Sequence, residues 1–105
     1  KALEKAVRRA DVLIGAIRNR DGRTPCVISK EMVKLMKPGS VIVDVSIDRG
    51  GSIETSEVTS HKKPTFIKHG VIHYCVPNIP SRVARTASFS LSNIFSSLLL
   101  FKFCL

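Results

Sequence analysis

The sequence predicts an α/β fold in which a parallel sheet, present only in part, is followed by a long C-terminal helix. Helical segments alternate with short apolar runs of strand length, an order typical of parallel sheets with right-handed crossovers. The run at 41–45 is interrupted only by Asp44 and is too apolar for a strand with one face in water. From Ser81 onward, apolar residues recur at helical spacings.

The first part of the chain is predicted to form a helix, a strand and a loop. Residues 2–10 favour a helix, because apolar residues recur on one face and two arginines occupy the last turn. The apolar run 12–14 stops at Gly15 and has the length of a strand. Residues 18–25 are rich in Arg, Asn, Asp, Gly and Pro, which indicates an exposed loop.

A second helix leads into the central strand. Ser29 is a suitable N-cap for a helix that ends at the Lys-Pro-Gly turn before residue 40. The predicted strand 41–45 then runs towards Asp48 and is closed by a pair of glycines. On such a strand Asp44 faces the same side as Asp48, and we interpret Asp44 as a hydrogen-bonded structural residue.

The remaining chain is predicted to contain a loop, a hairpin and the long helix. Residues 51–64 are polar and indicate a loop, whereas 65–68 and 71–76 flank a His-Gly pair and favour a tight hairpin. We expect the helix that begins at Ser81 to be buried rather than to span a membrane, because serines and an asparagine interrupt it. Its apolar stripe comprises Val83, Ala87, Leu91, Ile94 and Leu98.

Composition limits the classes of function. The net charge of +9, from 17 basic and 8 acidic residues, fits a solvated basic surface or a phosphate-bearing ligand. One Tyr and no Trp among scattered basic groups do not indicate a base-stacking platform for nucleic acid. Three widely spaced cysteines predict neither a disulfide framework nor a zinc site, and reduced thiols favour a cytoplasmic location. The chain opens on charged, helix-forming residues without an initiator methionine, so we expect a fragment without a signal peptide.

Two polar residues at predicted strand ends are the main candidates for chemistry. Asp48 is either the cap of a turn or a carboxylate beside a reacting carbon, where it could orient an amine or share its proton. Asn78 is either part of an Asx-type turn or an amide that binds a ligand carboxamide. Glu54 could brace the glycine turn. His73 and Cys75 share one strand face but are too few for a metal site.

Five blocks of the sequence resemble the alanine dehydrogenase family. They are 11–16 (DVLIGA), 36–51 (MKPGSVIVDVSIDRGG), 54–56 (ETS), 70–78 (GVIHYCVPN) and 85–93 (RTASFSLSN). Because the spacing between the blocks is kept from Asp11 to about Leu99, the resemblance is more specific than any single motif. The related proton-translocating transhydrogenases share the scaffold, but they usually have a Glu-containing segment at the position of residues 46–48.

The resemblance implies a Rossmann-like NAD-binding domain inserted into a substrate domain, in enzymes that are often hexamers and oxidise L-alanine to pyruvate and ammonia. Residues 1–80 would be the C-terminal half of that nucleotide-binding domain, and 81–105 the helix that returns to the substrate domain. The resemblance makes NAD the cofactor and Asp48 the catalytic residue. The cofactor-binding positions that it implies are Ile17, Arg18, Val45, Ser46, Ile47, Asp48, Val76, Pro77, Asn78 and Ile79.

Several features of the family are absent from these residues, so we expect the isolated chain to be inactive. The dinucleotide fingerprint G-x-G-x-x-G does not occur in the sequence. The resemblance places the catalytic His, the substrate-binding Lys and Arg and the ribose-binding carboxylate upstream of Lys1. Arg49 replaces a usual Gln, Ser52 a common Cys and Pro77 a frequent Ala, and residues 101–105 do not align. The alternatives are a transhydrogenase-type NAD(H)-binding subunit and a truncated, non-catalytic chain that binds a partner through its apolar tail.

Overall fold

A computed structural model describes residues 1–103, and the predicted end of the last helix at residues 104 and 105 lies outside that range. Three α-helices, four strands and two 3₁₀ helices are found in these residues. In chain order they are α1 (Ala2–Arg9), β1 (Val12–Gly15), α2 (Lys30–Lys34), β2 (Val41–Asp44), the first 3₁₀ helix (Val45–Arg49), β3 (Thr65–Lys68), β4 (Val71–Tyr74), the second 3₁₀ helix (Ile79–Val83) and α3 (Ala84–Phe103).

The four strands form one sheet in the order β1-β2-β4-β3. β1 is parallel to β2 and β2 is parallel to β4, whereas β3 pairs antiparallel with β4 as the predicted hairpin. The turn residues His69 and Gly70 both have positive φ, 53° and 73°, which matches the twist that a two-residue hairpin requires. The predicted α/β fold with a mainly parallel sheet is therefore confirmed, and the carboxyl ends of β1, β2 and β4 meet at one edge.

The hydrophobic core lies between one face of the sheet and helices α1 and α2. Val7 of α1, Val33 of α2 and Ile42 of β2 belong to one cluster of buried side chains. Ser29 caps α2 as predicted, because its side chain accepts a hydrogen bond from the Met32 backbone N–H. The opposite face of the sheet is less covered, since Ile14 is 64% exposed. The predicted burial of the central strand is confirmed on the face of Ile42 and Asp44 and is only partial on the other face, where Val41 and Val43 are half-buried.

The central strand ends earlier than predicted. β2 stops at Asp44, and residues Val45–Arg49 turn into a 3₁₀ helix that Asp44 caps by accepting a hydrogen bond from the Ser46 N–H at 3.0 Å. Asp44 is fully buried, whereas Asp48 is exposed on the 3₁₀ helix. The expectation that the two carboxylates share one strand face is therefore wrong, because the strand ends between them.

The long helix α3 forms as predicted but is not buried in this chain. Its contacts are mainly with the second 3₁₀ helix, and Leu91, Ile94 and Leu98 are each more than half exposed. The expected burial is wrong here because no other part of the described chain packs along its apolar side chains. None of the helices in residues 1–103 combines the length and the apolar character needed to cross a bilayer.

Candidate functional site

Three segments that follow neighbouring parallel strands meet at the carboxyl edge of the sheet. Residues 16–18 follow β1, residues 45–49 follow β2, and residues 76–79 lie just beyond β4. The strands are aligned so that Gly15 pairs with Asp44, which brings the first two segments side by side. Ligands of open α/β sheets bind outside this edge, and the cofactor-binding positions that the resemblance implies all belong to these three segments.

A cavity of about 240 Å³ lies between the first two segments. Its lining residues are Ala16, Ile17, Arg18, Val45, Ser46, Asp48 and Arg49. Five of the predicted site residues are among them. Ile47 is the exception in its segment, because its side chain is only 5% exposed and points into the protein interior. The cavity therefore has apolar walls formed by Ala16, Ile17 and Val45, with charged side chains around them.

Ser46 joins two of the segments through its hydroxyl group. Its Oγ accepts a hydrogen bond from the Ile17 N–H at 2.7 Å and donates one to the Ile17 carbonyl at 2.8 Å. The single hydroxyl proton is thus already used within the protein. Ser46 shapes the cavity by fixing the backbone on both of its sides, and its hydroxyl has no proton left to donate to a ligand.

Asp44 organises the chain beneath the cavity. Its Oδ1 accepts from the Ser46 N–H, and its Oδ2 accepts from the Ser52 N–H at 3.0 Å and from the Ser56 hydroxyl at 2.8 Å. Three donors therefore compensate the desolvation of a fully buried carboxylate. Gly51 lies against the same group, since a Cβ there would stand 2.8 Å from Oδ2. The interpretation of Asp44 as a structural residue is confirmed.

Asp48 differs from Asp44 in its exposure and in its contacts. It lies in the first turn of the 3₁₀ helix, lines the cavity and is exposed to solvent. The three ion pairs found within residues 1–103 all involve other carboxylates. The role of turn cap, which the sequence left open for Asp48, belongs to Asp44. Asp48 therefore presents an exposed carboxylate to the cavity, outside the ion pairs of the described residues.

Asn78 occupies an unusual backbone conformation at the third segment. Its φ and ψ angles are 55° and 53°, in the left-handed region that Asn adopts more readily than most residues. The side chain is exposed and makes no capping hydrogen bond, so the Asx-type turn is not formed. Val76 is buried, whereas Pro77 and Ile79 are half-buried. None of these four residues lines the cavity, although they lie at the same edge of the sheet.

His73 and Cys75 are both buried, and the two ring nitrogens of His73 are hydrogen-bonded within the protein. The His73 Nδ1–H donates to the Val71 carbonyl at 2.9 Å, and Nε2 accepts from the Thr55 hydroxyl at 2.7 Å. Burial lowers the pKa of His73 and raises the pKa of the Cys75 thiol. The ring also stacks on Phe66, with centroids 4.8 Å apart. Within residues 1–103 no group of three potential metal ligands comes together.

Sequence reasoning missed the hydrogen-bonding role of the segment 52–56. Ser52, Thr55 and Ser56 all bond to buried groups of β2 or β4. The available sequence signal was the ETS block at residues 54–56, which belongs to the family resemblance. A shared block does not reveal which buried groups the Thr55 and Ser56 hydroxyls bond to. Glu54 does not brace the glycine turn as expected, because its Oε2 accepts from the Lys30 N–H at 2.6 Å and so caps α2.

Comparisons with known proteins agree with this geometry. Residues 1–101 match the family described as "Alanine dehydrogenase/PNT, C-terminal domain". The alanine dehydrogenase of Methanococcus maripaludis is 54% identical over 92 residues, which cover 87% of this chain and 25% of that protein. The alanine dehydrogenase of Bacillus subtilis is 51% identical over 90 residues, which cover 85% of this chain and 24% of that protein.

Two solved structures have the same fold. An L-alanine dehydrogenase superposes with a TM-score of 0.82 at 47% identity, over 88% of this chain and 26% of that one. A transhydrogenase from Sinorhizobium meliloti superposes with a TM-score of 0.79 at 28% identity, over 93% of this chain and 28% of that one. The chain spans about a quarter of the length of the curated relatives that it matches. On this evidence, the chain belongs to the alanine dehydrogenase/PNT C-terminal domain family.

Proposed function

We propose that this chain is the nicotinamide-side part of an NAD-dependent L-alanine dehydrogenase. The observation that carries the proposal is the arrangement of the carboxyl edge. Segments 16–18 and 45–49, which the resemblance assigns to the cofactor, enclose one cavity of about 240 Å³ with Asp48 on its wall. Because the chain corresponds to about a quarter of its relatives, the full reaction belongs to a longer protein.

The cavity suits the nicotinamide ring of NAD. A flat, weakly polar ring fits between apolar walls such as Ile17 and Val45, and the charged groups at the rim can fix its orientation. Bound NAD would accept a hydride from the Cα of L-alanine. The apolar walls would exclude water from that transfer, while the exposed Asn78 amide would bind the cofactor carboxamide from the neighbouring segment.

Asp48 is the residue that we assign to the chemistry of the substrate. As an exposed carboxylate on the cavity wall, it can accept a hydrogen bond from the alanine amine and hold it beside the ring. Loss of the hydride from the neutral amine leaves an iminium ion; the same carboxylate can take a proton from the water that adds to this carbon and return it to the nitrogen, which leaves as ammonia and gives pyruvate. Arg18 and Arg49 stand on either side of the cavity as permanent cations.

We also assign the two parts of the chain to domains of the longer protein. Residues 1–80 form the C-terminal half of the NAD-binding domain, and 81–105 lead back to the substrate domain of the longer protein. The exposed apolar side chains of α3 and of the second sheet face support burial against other parts of such a protein. We further propose a cytoplasmic homo-oligomer, a hexamer as in the family that it resembles, which acts on L-alanine and pyruvate and has no nucleic-acid or membrane partner.

The transhydrogenase-type NAD(H)-binding subunit is the second candidate, because the similarity to the Sinorhizobium meliloti protein covers 93% of this chain. The identity is lower than for the alanine dehydrogenases, 28% against 47% in the solved structures. Assays of the longer protein separate the two activities. Alanine-dependent reduction of NAD supports our proposal, whereas hydride transfer between NAD(H) and NADP(H) without alanine supports the transhydrogenase. A genuine start codon directly before Lys1 would instead favour a truncated partner-binding chain.

The isolated chain offers a direct test with two half-cofactors. Nicotinamide mononucleotide should shift the NMR signals of the backbone amides in segments 16–18, 45–49 and 76–79, whereas adenosine monophosphate should leave them unchanged. This difference is expected because the resemblance assigns these three segments to the nicotinamide side of the cofactor and places the ribose-binding carboxylate of the adenosine side outside these residues. Equal responses to both nucleotides would contradict the proposal. The purified chain should form no NADH from L-alanine, and measurable turnover would disprove its predicted inactivity.

A further inference from the structure

His61 contacts the second 3₁₀ helix through both nitrogens of its imidazole ring. Its Nδ1 accepts a hydrogen bond from the Arg82 Nε–H at 2.9 Å, and its Nε2 lies 3.2 Å from the Ser81 hydroxyl. The backbone takes part as well, because Arg82 Nη2 donates to the His61 carbonyl at 3.2 Å. His61 therefore ties the loop before β3 to the helix that follows Asn78. We call His61, Ser81 and Arg82 the His61 cluster.

The contacts allow one protonation state of the imidazole. Arg82 has only donors, so the Nδ1 that faces it must carry a lone pair. The Ser81 hydroxyl donates its single proton to the Asn78 carbonyl at 2.8 Å, so it must accept the Nε2–H of His61. Both contacts require the same neutral tautomer. The Nε2–H tautomer, assigned from this hydrogen-bond network, therefore satisfies both neighbours of the ring at once.

The His61 cluster acts on the Asn78 carbonyl. That carbonyl accepts from both the Ser81 hydroxyl, at 2.8 Å, and the Ser81 N–H, at 3.1 Å. Asn78 itself has a left-handed conformation, which is unfavourable for most residues other than glycine and persists only where the surroundings stabilise it. Two hydrogen bonds to one carbonyl restrain the peptide plane after Asn78, and with it the backbone conformation from which the Asn78 side chain projects.

We propose that neutral His61 is a positioning residue that orients the Asn78 amide through Ser81 and Arg82. This inference rests on the proposed function, in which Asn78 binds the carboxamide of the nicotinamide ring. His61 touches neither the cavity nor Asp48, so its contribution is to the geometry of the third segment alone. No pattern in the sequence indicates this role, because a histidine in a polar loop is most simply a solvated side chain.

The first test measures order at Asn78 by ¹⁵N relaxation of the labelled chain. In the wild-type chain the backbone amides of Asn78 and Ser81 should have order parameters of about 0.85, and His61→Ala should lower them towards 0.6. His69→Asn is the matched control, because it removes an exposed imidazole from the hairpin turn at a positive φ that Asn tolerates. It should leave both amides unchanged.

Two conservative variants separate positioning from general stability. In His61→Asn the amide oxygen can replace Nδ1 as the acceptor for Arg82, and in His61→Gln the amide nitrogen can replace Nε2 as the donor to Ser81. Each should restore part of the order that His61→Ala removes. Long-range ¹H–¹⁵N spectra should show the Nε2–H tautomer. Unchanged order at Asn78 in all three variants, or the Nδ1–H tautomer, would overturn the inference.

A titration with nicotinamide mononucleotide links the cluster to the cofactor. If His61→Ala weakens the orientation of Asn78 by the net contribution of one hydrogen bond, nicotinamide mononucleotide should bind this variant about fivefold more weakly than it binds His69→Asn. If the wild-type chain does not bind the nucleotide, the proposed function fails, while the order parameters still decide the role of His61. If binding is normal in His61→Ala and order at Asn78 is unchanged, the inference fails and the proposed function stands.

Discussion

The hydroxyl of Ser46 makes hydrogen bonds to both backbone groups of Ile17, which lies 29 positions earlier in the chain. The pairing of β1 with β2 ends at Gly15 and Asp44. Beyond that point the Ser46 side chain takes the place of the backbone hydrogen bonds between the two strands. The two loops beyond the sheet remain connected to each other, and the cavity lies directly against this connection. The walls of the cavity are therefore fixed in part by a residue whose hydroxyl is fully used within the protein.

The two aspartates of the central segment should respond differently to the same substitution. In the wild-type chain three donors bond to the Asp44 carboxylate. Asp44→Asn replaces one of its oxygens with an amide N–H₂ that faces these donors, so it should lower the free energy of unfolding by about 2–3 kcal/mol. Asp48→Asn is the matched control, and because Asp48 is exposed it should change stability by less than about 0.5 kcal/mol. Urea denaturation followed by circular dichroism measures both. Equal losses of stability would contradict the assigned roles, whereas in the longer protein Asp48→Asn should abolish alanine oxidation.

Gly51 should be more sensitive to a side chain than another glycine with the same backbone strain. Gly51 has a φ of 77° and its Cβ would stand 2.8 Å from Asp44 Oδ2, whereas Gly39 has a φ of 82° and open space around it. Gly39→Ala reports the strain of a positive φ, about 1 kcal/mol. Gly51→Ala should cost about 1–3 kcal/mol more, because the methyl group also displaces the buried carboxylate. Urea denaturation of the two variants gives this difference directly, and equal costs would show that Asp44 moves aside freely.

Ser52 and Ser56 should give stability changes of opposite sign when replaced by alanine. The Ser52 hydroxyl is the buried side-chain polar atom without a hydrogen-bond partner in the described part of the chain. Ser52→Ala should therefore stabilise the chain by about 1 kcal/mol, since the backbone N–H that binds Asp44 is kept. Ser56→Ala removes a 2.8 Å bond to the same carboxylate and should destabilise it by about 1–2 kcal/mol. Thermal unfolding distinguishes these outcomes, and a loss of stability in Ser52→Ala would contradict the prediction.

His73 should make the chain less stable in acid. Burial lowers the pKa of His73 in the folded state, so between that pKa and the unfolded value the unfolded chain binds more protons. Stability should therefore fall as the pH drops below about 6.5, the ordinary histidine value. Urea denaturation from pH 7.5 to pH 5 measures the slope. His73→Asn should lower stability at neutral pH, because the bond to Thr55 is lost, but it should flatten that slope. An unchanged slope would assign the acid sensitivity to other groups.

Local signals in the sequence were sufficient for most of the fold. The N-cap at Ser29, the His69-Gly70 hairpin and the apolar strands each depend on neighbouring residues, and all three were predicted correctly. The end of β2 was not, because it depends on Asp44 bonding to Ser52 and Ser56, which lie 8 and 12 positions away.

The candidate site was predicted in part. The resemblance supplied its positions, and the parallel sheet brings them to one edge. What it could not supply were the contacts of single hydroxyls and rings, such as the bond between Thr55 and His73. The exposure of α3 was also missed, because an apolar pattern indicates that a helix needs a partner but not whether the partner lies within the same chain.

The position of β1 at the end of the strand order has a practical consequence for work with the isolated chain. Within residues 1–103 no strand lies beside its outer backbone groups, and the neighbouring side chains of Val12 and Ile14 are 57% and 64% exposed. Such an edge can add a strand from a second molecule, so purified samples should self-associate as their concentration rises. The charge of +9 opposes this by repulsion, but salt screens it. Dilute, low-salt buffers should therefore keep the chain in solution longest, which favours those conditions for the NMR titrations.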